Sequence, residues 1–170
     1  TVLMNYFGHV VYELSLEKSI EMGILCRYEY HPIYAALTSD EMAVYDTLTR
    51  QIAAKLAGEK NSFKNDEDYK NNPEIRRADL LGSAENKLPI LQQIIDSLIH
   101  VKQTLIYCTS NPSPNLPPLS PTQLVNVKDL LHTNNITSKS ITFEDPTKDR
   151  GYILNKLSEG HYDCVTAVKC

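Results

Sequence analysis

The chain has no tryptophan and only three phenylalanines in 170 residues, so its ten tyrosines supply most of the aromatic surface. Its four cysteines, Cys26, Cys108, Cys164 and Cys170, form no CxxC pair, and no histidine stands at metal-ligand spacing from one. That excludes a zinc-finger framework. Cys108 and Cys164 lie in apolar runs, where a free cysteine behaves as a small hydrophobe, and all four are read as reduced thiols. No run approaches the ~20 apolar residues of a spanning helix. No basic-then-apolar leader opens the sequence. The expectation is a soluble, cytoplasmic protein that does not engage a membrane. GxxxxGK[ST], a strand-borne acidic pair of the DExx type, GxSxG, HExxH and GxGxxG are all missing. The missing phosphate loop weighs most, because hydrolysing a nucleoside triphosphate needs its backbone donors, its lysine and its metal-holding hydroxyl. No base stands at a recognisable spacing from Cys108, and His9, His31, His100, His132 and His161 are scattered. A small enzyme working through a thiol or an imidazole therefore has little support. An excess of positive charge is also lacking: 17 Lys and Arg against 21 Asp and Glu leave −4. Any contact with nucleic acid has to be local, made by a few oriented groups.

What is present is the composition of an ordinary globular protein, 42% hydrophobic and 22% charged. The length suits one compact domain with a helical appendage. Val10 to Leu14 is β-branched and aromatic and predicts a strand. Ser15 reads as the N-cap of a short helix that stops at Gly23, and Ile24 to Leu37 reads as extended, with Pro32 favouring an edge. Thr38-Ser39-Asp40-Glu41 is a helix start, with caps followed by acids. Met42, Tyr45, Leu48, Ile52 and Leu56 then carry a helix as far as Gly58. Residues 59–73 are polar, asparagine-rich and nearly free of apolar anchors, which predicts a mobile loop. Two helical segments follow, one from Glu74 to Gly82. The other carries Leu88, Leu91, Ile94, Ile95 and Leu98, with Pro89 tolerable only in its first turn.

From Thr104 the character changes. Thr104 to Cys108 is a short, mostly apolar run of the kind buried on both faces of a sheet. A Pro/Ser/Asn loop (109–122) leads to a helix carrying Leu124, Val127, Leu130 and Leu131, which stops at Asn134-Asn135. Ile136 to Phe143 predicts a strand. A helix from Thr147 to Leu157 turns Tyr152, Ile153 and Leu157 inward and is closed by Gly160. Tyr162 to Val168 predicts a third strand. Strand, helix, strand, helix, strand at these lengths predicts βαβ crossovers and a parallel sheet, hence an α/β fold. In such sheets ligands are handled at the carboxyl ends of the strands. Thr109, Ser110 and Asn111 follow the first of these strands, where hydroxyls, amides and exposed N–H groups suit a phosphate; an ordinary turn before Pro112 suits them equally. Arg76-Arg77 with Lys87 reads as a solvated basic face, and Asp145 and Asp149 as acids complementing a helix start. The chain stops at Lys169-Cys170, where a strand would deliver its functional loop, so a fragment is expected.

Four stretches together resemble the superfamily 2 nucleic-acid helicases of the DEAD/DEAH type, in their repair and restriction branch. Tyr6-Phe7-Gly8 with Val11 to Ile20 and Gly23 to Tyr28 resembles the family's "FG…vYeysl.eAI..G.L.pY". Ala84-Glu85-Asn86-Lys87 before an apolar helix resembles "A.nK…L..ll". Gln103 to Cys108 looks like motif IV. Arg150, Ile153-Leu154 and Gly160 ahead of Tyr162 to Lys169 resemble the run into motif V. The resemblance implies residues 1–37 as the segment after motif III that links the two motor domains. It implies 38–100 as a helical region and 101–170 as a truncated RecA-like C-terminal domain, the second motor domain. It further implies that the full-length parent uses ATP and magnesium, with neither bound by this fragment alone. The N-terminal RecA-like motor domain of the same polypeptide would be its partner. Nucleic acid, DNA by preference, would lie across Thr109, Ser110, Asn111 and Lys169, and no residue here would be catalytic. A second reading makes the chain a stand-alone α/β module that binds a protein or small ligand without catalysis.

Overall fold

A computed structural model describes residues 8, 12–57, 72–109 and 120–168, and the chain divides into two compact units, 1–34 and 35–170. The first unit holds a single short helix among its described residues, α1 (Leu16–Glu21). The Ser15 side chain accepts from Lys18 N at 3.2 Å, and Gly23 takes φ +71° to end the turn. Tyr12 to Leu14 is not a strand. The rest of that expected strand, Val10 and Val11, lies outside the described residues. Among the described residues, no strand pairs with this stretch to realise its local β-propensity.

The second unit opens with α2 (Ser39–Ala57) and α3 (Pro73–Gly82), which pack on each other and bury Leu48, Ile52 and Leu80. Thr38 and Glu41 form a reciprocal capping box at the start of α2. Thr38 N donates to Glu41 Oε2 at 2.9 Å, and Glu41 N donates to Thr38 Oγ1 at 3.3 Å. The polar stretch assigned to 59–73 ends earlier than expected. Asn72 is buried, and its Oδ1 accepts from Glu74 N at 2.9 Å as the N-cap of α3, so Asn72 and Pro73 belong to the helix start. Residues 59–71, and with them the expected mobile loop, lie outside the described residues. Next comes α4 (Lys87–Ser97), with Pro89 in its first turn, where the missing N–H costs nothing.

Three strands then form one parallel sheet: β1 (Thr104–Cys108), β2 (Ser138–Ile141) and β3 (Cys164–Val168), in the order β1-β3-β2. Leu105 lies opposite Val165, and Ile141 opposite Ala167. The joining helices are α5 (Gln123–Thr133) and α6 (Thr147–Ser158). The crossings β1 to β2 and β2 to β3 run in opposite senses, so a common hand puts their helices on opposite faces. Cys108, Cys164, Val127 and Leu131 form the core on one face, with Leu88 and Leu91 of α4 packed against it. Ile141, Val165, Ile153 and Leu157 form the core on the other face, under α6. The central strand β3 is buried on both faces, as uniformly apolar residues with Thr166 imply. Thr166 satisfies its hydroxyl on Ser140 Oγ at 2.9 Å.

Two further expectations are corrected. β1 is an edge strand with one covered face, since α6 packs on β3 and β2 and leaves Leu105 46% and Tyr107 76% exposed. Tyr152 is 60% exposed and lies beneath the Lys156 ammonium, 5.7 Å from its ring centre. Ile153 and Leu157, four apart, define the inward face of α6, and Tyr152 is rotated off it. The helix stops fall where the sequence puts them. Asn135 takes φ +56° and Gly160 φ +81°, each closing its helix through a backbone bond from the following residue.

Candidate functional site

The parallel strands end together at one rim of the sheet, and Thr109 is the first residue past β1. Its N–H donates to Gln123 Oε1 at 2.9 Å. Gln123 opens α5, and Thr122 is the N-cap, its Oγ1 accepting from Val125 N at 3.5 Å. The amino end of α5 is thereby tied to the carboxyl end of β1. Thr109 also lies against the end of α3: a Cβ added to Gly82 would stand 3.5 Å from Thr109 Cβ, an ordinary contact. Lys87 Nζ donates to the Gly82 carbonyl at 3.2 Å, which brings a cation to the same rim. Between these elements runs an open groove of about 360 Å³, lined by Lys87, Leu91, Cys108, Thr109, Gln123 and Val127 among others.

Chemically, the described lining sets Thr109, Tyr107, Gln123 and Lys87 over an apolar floor. It includes no carboxylate and no imidazole. Burial pushes the Cys108 thiol up to about 11 and the Cys164 thiol up to about 12, so both are protonated and unreactive at neutral pH. Such a set can hold an anion or a polar group, but it contains no acid–base pair to transform one. Of the expected nucleic-acid contacts, Thr109 stands at the strand end as predicted. Ser110, Asn111 and Lys169 lie outside the described residues. Gln123, not among the residues expected from the sequence, accepts the Thr109 N–H. A primary amide at the first helical position was its one visible signal.

The remaining candidates serve local structure. Arg77 packs its guanidinium 5.7 Å from the Tyr45 ring centre and donates to Thr49 Oγ1 at 3.4 Å, joining α3 to α2. Asp145 Oδ2 accepts from Thr142 N at 2.7 Å and from Thr142 Oγ1 at 3.0 Å, which holds its carboxyl below the usual range. Asp149 is the acid in the first turn of α6. His31 sits by Glu29, and His161 by Glu159 and Lys156, both at the surface. His9 lies outside the described residues. Among the described residues no three His, Cys, Asp or Glu side chains gather to hold a metal. No helix among them is long and apolar enough to cross a membrane.

The Ala84 to Lys87 stretch has a definite structural task. Glu41 is 1% exposed, and its second oxygen, Oε1, accepts from Glu85 N at 2.9 Å. Asn86 Nδ2 donates to the Ala36 carbonyl at 2.7 Å. One buried carboxylate thus serves the starts of two helical segments that lie 44 residues apart in sequence. This bracket sets α4 beside the sheet and brings Lys87 to the rim. A scan against protein-family models finds no match to the chain, and a search of curated proteins finds none either.

Proposed function

We propose that the chain is part of the second motor domain of an ATP-dependent superfamily 2 helicase or translocase, and that it is inactive alone. The observation that carries this reading is the parallel β1-β3-β2 sheet. Its outer strand β1 is the segment that resembles motif IV. Its central strand β3 is the segment that resembles the run into motif V. In such a motor, ATP and magnesium are held mainly by the first RecA-like domain, while the second closes over them and shares in gripping a nucleic-acid strand. The rim groups Thr109 and Lys87 suit a phosphodiester. Thr109, with Ser110, Asn111 and Lys169, is the proposed contact set, and DNA is the proposed polymer. Magnesium and ATP belong to the parent polypeptide, whose N-terminal motor domain is the proposed partner.

The test is a titration of the purified chain with a fluorescent single-stranded oligonucleotide at increasing salt. Weak binding that falls steeply with salt and is reduced by Lys169→Glu is expected. Binding indifferent to salt, or unaltered by that substitution, contradicts the proposed phosphate contacts. ATP turnover by the chain alone contradicts the assignment to a domain without a phosphate loop.

A further inference from the structure

The Gln123 amide is held from one side only. Its oxygen, Oε1, accepts from Thr109 N at 2.9 Å. A backbone N–H can only donate, so the oxygen must face Thr109 and the amide nitrogen must face away from it. Among the described residues Nε2 finds no acceptor, although Gln123 lines the rim groove together with Lys87. The Lys87 ammonium rests on the Gly82 carbonyl at 3.2 Å, an acceptor without a full charge to neutralise it. No Asp or Glu stands in the described lining. The groove thus brings together a neutral donor and a cationic donor.

We infer that Gln123 is itself a contact residue, its Nε2 donating to a phosphodiester oxygen of the single strand while Lys87 supplies the positive charge. Phosphodiester oxygens only accept and carry the polymer's charge, so they suit both donors. Base edges mix donors with acceptors and are uncharged, so they suit the pair less well. The bond to Thr109 fixes the amide before the strand arrives, and little side-chain freedom is left to lose on binding. One side chain thereby braces Thr109 through its oxygen and meets the strand through its nitrogen. The inference rests on the reading of this rim as a nucleic-acid surface.

Gln123→Glu separates the two roles. It keeps an oxygen for the Thr109 N–H and puts an anionic oxygen where the nitrogen stood. An acid at the first helical position favours the helix, so the fold is not at stake. The measurement is fluorescence anisotropy of oligodeoxythymidylate and of oligodeoxyadenylate with the full chain at low salt, alongside amide exchange at Thr109. Gln123→Glu is expected to weaken both polymers about tenfold while Thr109 exchanges at the parent rate. Gln123→Ala weakens binding and speeds that exchange. Lys87→Met weakens binding and makes the log–log salt slope shallower by about 0.7. A Gln123→Glu chain that binds as the parent does overturns the inference and leaves the motor reading standing. So does a loss confined to one polymer, which marks a base contact, or one with faster Thr109 exchange, which marks a brace alone. A parent chain that binds neither polymer overturns both.

Discussion

At the scale of single residues, the described part of the molecule relies on polar side chains that close backbone valences between segments distant in sequence. Glu41 is the clearest case, a buried carboxylate held by Thr38 N and Glu85 N. Glu41→Ala removes the acceptor of the Thr38 and Glu85 N–H groups and is expected to cost roughly 1–3 kcal/mol in a urea melt. Asp163 does related work at the other end of the sheet. Its Oδ2 accepts from both the hydroxyl and the N–H of Thr137, and these two bonds lower its pKa. A carboxylate depressed on folding stabilises the fold above its unfolded value, near ~3.9, and loses that effect as pH falls through the folded value. Asp163→Asn should therefore lower the urea midpoint at pH 7, and the gap from the parent chain should close as pH drops well below 4. A gap that stays constant with pH would contradict this role. Half of the Glu41 arrangement was visible in the sequence, since Thr38 and Glu41 stand at capping-box spacing. Its bond to Glu85 was not, because nothing local ties positions 41 and 85.

At the scale of elements, periodicity and stop residues located the helices well. Asn135 and Gly160 end α5 and α6 through positive φ, a requirement that leaves a mark in sequence. Burial of strands was less legible. The run Thr104 to Cys108 reads as apolar on both faces, yet its place at the sheet edge uncovers Leu105 and Tyr107. Strand order is a long-range property, and an apolar pattern alone does not distinguish a central strand from an edge awaiting a neighbour. The helix α5 is the element on which the sheet most depends, since it packs on all three strands. Leu131→Ala, at a fully buried site on α5, should destabilise by about 2–5 kcal/mol, read from chemical denaturation. Val125→Ala, on the exposed side of the same helix, should change stability by less than about 0.5 kcal/mol.

At the scale of the whole molecule, the sequence foretold a parallel sheet with Thr109 at the carboxyl end of β1, and the structure has both. The candidate site was legible only in part. Thr109 could be placed because it follows an apolar run, whereas the Gln123 brace and the approach of Lys87 through the Glu41 bracket arise from tertiary packing. Removing the brace should loosen the rim without unfolding the sheet. Gln123→Ala is expected to speed amide exchange at Thr109 while Val165 stays protected. If the rim is the nucleic-acid surface, the same substitution weakens single-strand binding severalfold. The most direct test is a nitrogen-edited NMR titration of the chain with a single-stranded oligonucleotide at low salt. A nucleic-acid surface at this rim predicts shifts concentrated at Thr109, Gln123 and Leu124, fading as salt is raised. Shifts confined to the amino ends of the strands, around Lys102 and Asp163, or none at all, would contradict it.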